Sequence, residues 1–161
     1  MADWDDLSDE ELARRARVQL RHGRYALASE ILAVYCSRMI AQDRAIGASV
    51  MAGYGLAIGM TGDLEEGLAT CQRALSTDRR NPDIWAALAR LMLLAGDRKK
   101  AFDAVARGLR LAPRNKELLD LRRSLGVRRS PPVPFLDRGH PVNVRIGRVL
   151  KRLKGGSKKS A

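Results

Sequence analysis

With 161 residues, 4% aromatics and an abundance of Ala, Leu and Arg, the chain has room for one domain and a tail, and its composition favours helices over an all-β fold. The net charge of +12 is lopsided: residues 1–126 hold 20 Lys and Arg against 17 Asp and Glu, whereas residues 127–161 hold 10 against 1, a net of +9. Two cysteines (Cys36, Cys71) and two histidines (His22, His140) supply neither a disulfide framework nor zinc spacing.

Residues 1–7 form an acidic lead with no apolar run, unlike a secretory or mitochondrial targeting segment, and this points to a cytoplasmic protein. Ser8-x-x-Glu11 reads as a capping box that opens the first helix. Helices are predicted over 8–22, 25–41, 44–61, 64–78, 82–95, 98–111 and 115–125. Asn81 and Asn115, 34 residues apart, are placed to cap the fifth and seventh, with Pro82 in a first turn. The stretch from Ala45 to Gly62 carries no charge and includes Gly55-x-x-x-Gly59, a spacing that packs transmembrane helices. Its five glycines, with Ser49, Tyr54 and Thr61, dilute the hydrophobicity, so a tightly packed soluble helix is expected instead.

The pairs Gly62-Asp63 and Gly96-Asp97 align at a spacing of 34 residues, and Gly23 supplies a third instance 39 residues upstream of Gly62. The first unit thus holds about five extra residues, expected within Ser37 to Ala45. In the third unit Trp85, Leu88-Ala89, Gly96, Ala101 and Pro113 stand where the tetratricopeptide-repeat (TPR) motif has its tryptophan, Leu-Gly/Ala pair, turn glycine, small residue and closing proline, so the chain resembles that family. The second unit keeps Gly55, Gly62 and Ala74 but has Met51 and Arg79 at the tryptophan and proline positions; the first keeps Ala16, Gly23, Tyr25 and Ala28. The resemblance implies an all-α, right-handed solenoid of three helix-turn-helix repeats, about 8–43, 44–80 and 81–114, within a domain spanning 8–126. A capping helix at 115–126, with Leu118, Leu119, Leu121 and Leu125 as its apolar stripe and Glu117, Asp120, Arg122 and Arg123 keeping its outside wet, is expected to close the stack. Small residues should let paired helices approach closely, Gly55 facing Gly67 and Ala89 facing Ala101.

The resemblance also implies a concave binding face made by the first helix of each pair. Matching positions puts Arg17, Leu20 and Arg21 there from the first unit, Leu56 and Met60 from the second, and Arg90, Leu93 and Leu94 from the third, with Ala13, Ala52, Gly59 and Ala86 between them. An apolar strip beside arginines suits a peptide or helix of another protein with apolar anchors and acidic flanks. TPR domains that grip chaperone C-termini do so with a carboxylate clamp; its places here hold Ala13, Arg17, Ser49, Gly53, Asp83 and Ala87, so most of the clamp is missing.

Beyond the cap, residues 127–161 open with a proline-rich strap, Pro131-Pro132-Val133-Pro134-Phe135, which is expected to lie back across the solenoid and bury Phe135. A basic amphipathic helix follows: Val142, Ile146, Val149, Leu150 and Leu153 recur at helical spacing, with Arg145, Arg148, Lys151, Arg152 and Lys154 on the other side. That helix could meet RNA or DNA phosphates or an anionic membrane. No phosphate loop, metal motif or nucleophile–base pair occurs, so neither enzymatic activity nor a cofactor is expected. The expectation is a protein–protein interaction adaptor or scaffold. The alternatives are a nucleic-acid- or ribosome-associated factor using the tail, and, from size and repeat number, a secretion-type chaperone.

Overall fold

The computed structural model describes Trp4, residues 6–126 and Ile146. The strap and the basic C-terminal helix, including Arg145, Arg148, Lys151, Arg152 and Lys154, lie outside the described residues. The chain divides after Gly126 into two units.

Seven helices and no strands make up the described part of the first unit: α1 (Asp9–Arg21), α2 (Tyr25–Ala41), α3 (Ala48–Thr61), α4 (Leu64–Thr77), α5 (Pro82–Leu94), α6 (Arg98–Leu111) and α7 (Lys116–Leu125). Five of the seven, α1, α4, α5, α6 and α7, begin with a side-chain cap. The Ser8 hydroxyl accepts the Glu11 N–H, and the Asn81 and Asn115 side chains accept the N–H of Asp83 and Leu118, as the sequence predicts. Asp63 and Asp97 do the same for α4 and α6, accepting from Glu66 and Lys100. The recurring Gly-Asp pair is therefore one punctuation mark with two parts. Glycine ends one helix at positive φ, +136° at Gly62 and +78° at Gly96, and the next residue caps the following helix. In the first unit Arg24 replaces the Asp, and α2 starts without a side-chain cap.

The helix predicted to start at residue 44 begins at Ala48. Asp43 takes a positive φ of 52°, which ends the preceding helical path, and extended Gly47 then leads into α3. The first unit's five extra residues are shared: α2 runs 17 residues against 14 for α4 and α6, and the connection 42–47 is two residues longer than 78–81.

Paired helices α1/α2, α3/α4 and α5/α6 stack in order, with α3 lying against α5 and α7 against both α5 and α6. Leu12, Ala16, Ile31 and Leu32 form a core within the first pair. A larger core runs from Ala52 and Leu56 through Ile84, Leu88, Leu91 and Val105 to Leu118 and Leu125 of α7. The tightest seam joins α3 to α4, where a methyl group on Gly55 would lie 2.8 Å from the Gly67 carbonyl oxygen and one on Gly67 would lie 2.6 Å from that of Gly55. Next to it the Cys71 thiol donates to the Ala52 carbonyl, and burial pushes its pKa up to about 12. Leu118 closes the far end against Gly108, whose own Cβ position faces Trp85. The Trp85 indole donates to the Arg79 carbonyl, and the Arg107 guanidinium lies 5.4 Å from the centre of its ring. Among the described residues no helix is long and apolar enough to cross a membrane.

Candidate functional site

The first helices of the pairs, together with α7, surround a cleft of about 810 Å³. Helix α1 contributes Ala13, Ala16, Arg17, Leu20 and Arg21 to it, and α3 contributes Ser49, Val50, Ala52, Gly53 and Leu56. Asp83, Ala87 and Arg90 come from α5, and Glu117, Asp120, Leu121 and Ser124 from α7. Small side chains give the cleft its depth. A methyl group on Gly53 would come within 2.9 Å of Leu20 Cδ1, which would have to swing aside.

The spacing has a simple origin. Ser49, Gly53 and Leu56 fall at i, i+4 and i+7, one face of α3. Adding the 34-residue period once gives Asp83, Ala87 and Arg90; adding it again gives Glu117, Leu121 and Ser124, all in the cleft. Helix α7 thus presents the same positions as α3 and α5, besides covering the third repeat. Glu117 and Asp120, expected on the wet side of a cap, both line the cleft, and Asp120 is also exposed; the 34-residue period is the signal that carries Glu117 there.

Of the groove residues predicted from sequence, Arg17, Leu20, Arg21, Leu56 and Arg90 come together in the cleft. Met60 and Leu93, a turn or less beyond, pack partly buried against the larger core, and Leu94 is 52% exposed; none of the three lines the cleft. All six clamp-equivalent positions, Ala13, Arg17, Ser49, Gly53, Asp83 and Ala87, do.

Charge is distributed unevenly across the cleft. On α1, exposed Arg17 and Arg21 form no ion pair among the described residues. Arg90, by contrast, is tied on two sides: its Nε lies 3.0 Å from Glu117 Oε1, and its Nη1 donates to the Tyr25 hydroxyl at 2.9 Å. These bonds link α2, α5 and α7 through one guanidinium and neutralise Glu117. Asp83 on α5 is exposed, and Asp120 on α7 pairs at 2.7 Å with Arg123, both partners mostly in solvent. One wall is therefore cationic and the other anionic.

Among the described residues no group of three or more His, Cys, Asp or Glu is arranged to hold a metal ion. The titratable residues of the cleft are arginines and carboxylates alone.

The family model described as tetratricopeptide repeat matches residues 60–125. Solved structures of similar fold include the UNC-45 chaperone, critical for binding and folding muscle myosin, at 19% identity and a TM-score of 0.57 over 73% of this chain and 13% of that one. This chain therefore spans a small part of that protein. The first TPR of Spaghetti (RPAP3) bound to the HSP90 peptide SRMEEVD is similar at 15% identity and a TM-score of 0.55, over 73% of this chain and 89% of that one. The Yersinia enterocolitica type III secretion chaperone SycD, in complex with a peptide of the translocator YopD, is similar at 18% identity and a TM-score of 0.52, over 75% and 90% of the two chains. No curated protein sequence matches the chain.

Proposed function

We propose, from the premise that the chain is a tetratricopeptide-repeat protein, that it is a non-enzymatic adaptor which holds a segment of another protein in the cleft between α1, α3, α5 and α7. The observation that carries this reading is the cleft itself: an apolar and small-residue floor, open to solvent, with arginines on its rim that form no ion pair among the described residues. Folds of this kind hold peptides in two of the similar structures, an HSP90 peptide in one and a translocator peptide in the other. Two buried, unpaired thiols suit a reducing compartment, so the same proposal places the protein in the cytoplasm. The +9 charge of residues 127–161 adds a salt-sensitive attraction to polyanions, subordinate to the cleft.

The test is to block the cleft without touching the core. Ala13→Trp with Ser49→Trp places two indoles at its lining, on partly exposed positions. In affinity capture from the source cell, with nuclease present, the wild-type protein is expected to retain a defined protein partner and the blocked variant to lose it while its helical circular dichroism is unchanged. Retention by a folded blocked variant sinks the reading. Loss of the wild-type partner on nuclease treatment favours the nucleic-acid alternative instead.

A further inference from the structure

Helices α1 and α7 do not touch; α3 and α5 lie between them, so the residues of α1 and those of α5 and α7 face each other across the cleft. Each wall keeps one sign of charge available. Arg17 and Arg21 have no internal partner among the described residues. On the other side Glu117 is already occupied by Arg90, whereas Asp83 is exposed and Asp120 is held only by a solvent-exposed pair with its helical neighbour Arg123, the kind of contact that is readily exchanged. At the clamp-equivalent position of α5 the chain thus carries a carboxylate, Asp83, which repels an acidic ligand.

We infer that the cleft selects a bipolar segment of its partner: acidic residues against Arg17 and Arg21, a Lys or Arg against Asp83 and Asp120, and small or apolar residues between them. This rests on the reading of the cleft as a partner site and adds the ligand's charge order to it. Packed helices lie roughly 8–10 Å apart, so two spacings from α1 to α5 separate the charges by roughly 16–20 Å. That is the length of about 11–13 residues of helix or about five or six residues of extended chain. A uniformly acidic tail satisfies one wall and is repelled by the other; a uniformly basic segment fails in the reverse sense.

The experiment is selection of a displayed library of random 16-residue peptides on the full-length protein, with enriched peptides then synthesised and titrated. The expected pool carries Asp or Glu and Lys or Arg on opposite sides of an apolar stretch. Arg17→Glu with Arg21→Glu is expected to abolish its binding, and Asp83→Asn with Asp120→Asn to weaken it about tenfold while uniformly acidic peptides bind better than before. All four positions are on the surface of formed helices, and circular dichroism checks that each variant is folded. A pool of one charge sign, or one indifferent to Asp83→Asn with Asp120→Asn, yet blocked by Ala13→Trp with Ser49→Trp, overturns the bipolar inference and leaves the partner site standing. A pool that the tryptophan pair does not block, or no pool at all, overturns both.

Discussion

Single residues set the two features on which the cleft depends, how closely the helices pack and where they begin. Gly55→Ala is expected to lower stability by about 1–3 kcal/mol, because the added methyl group meets backbone of α4 and cannot be relieved by a rotamer change. Thermal denaturation measures this, and an unchanged midpoint would contradict the α3/α4 seam. Asp97 provides a test with a pH sign. Its carboxyl is held below the usual range, first by the backbone N–H of Lys100 at the start of α6, then by that residue's side chain. A carboxyl with a depressed folded pKa contributes stability above its unfolded pKa, and that contribution is lost as pH falls through the folded value. Asp97→Asn keeps a capping oxygen but cannot titrate, so the variant's midpoint is expected to fall less steeply than wild type on acidification below about pH 4. Parallel profiles would deny the cap its charge. The same residue shows what was legible at this scale. The Gly-Asp recurrence was visible as a period, but the capping role of its aspartate was not assigned, because a repeat alignment reports position and not which oxygen meets which N–H.

Among the elements, α7 carries a role beyond its sequence expectation. Its apolar stripe predicted a lid, and Leu118 does fill the end of the core at 0% exposure beside Gly108. Asp120, Arg122 and Arg123 are exposed as expected, and in addition the 34-residue period carries Asp83, Ala87 and Arg90 onto Glu117, Leu121 and Ser124 in the cleft. The stripe masked the period because burial and cleft positions interleave within one short helix. Ending the chain after Ala112 removes α7 and with it the Glu117 partner of Arg90 and the cover over the core around Trp85. The expected outcome is a red-shifted indole emission, lower helicity per residue and a lower melting temperature. A truncated protein with wild-type emission and melting would refute the role of α7 in closing the stack. The α2–α3 connection differs from its expectation for another reason. The predicted start at 44 is too early because Asp43 leaves the helical path at positive φ, and the helical path resumes only at Ala48, after extended Gly47.

For the molecule as a whole, the repeat architecture was legible because a period is redundant: Ala89, Gly96 and Ala101 repeat information carried by Gly55, Gly62 and Gly67. The candidate site was only partly legible, since helical spacing gives a face but not how deep along that face the cleft runs, which is why Leu56 lies within it and Met60 and Leu93 do not. Charge separates the two ends of the chain: residues 127–161 carry a net +9 and residues 1–126 a net +3. Deleting everything after Arg138 removes Arg145, Arg148, Lys151, Arg152, Lys154, Lys158 and Lys159, and is expected to abolish salt-sensitive binding to RNA or anionic vesicles while leaving capture of the protein partner intact at moderate salt. Loss of that partner on truncation would transfer the main function to the tail. The most direct measurement for the cleft is an amide NMR titration of the full-length protein with a peptide taken from the selected pool. The account predicts that the largest shifts fall on Arg17, Ser49, Gly53, Ala87 and Leu121, with the outer faces of α2, α4 and α6 unmoved; shifts centred on those outer helices, with the cleft amides still, would contradict it.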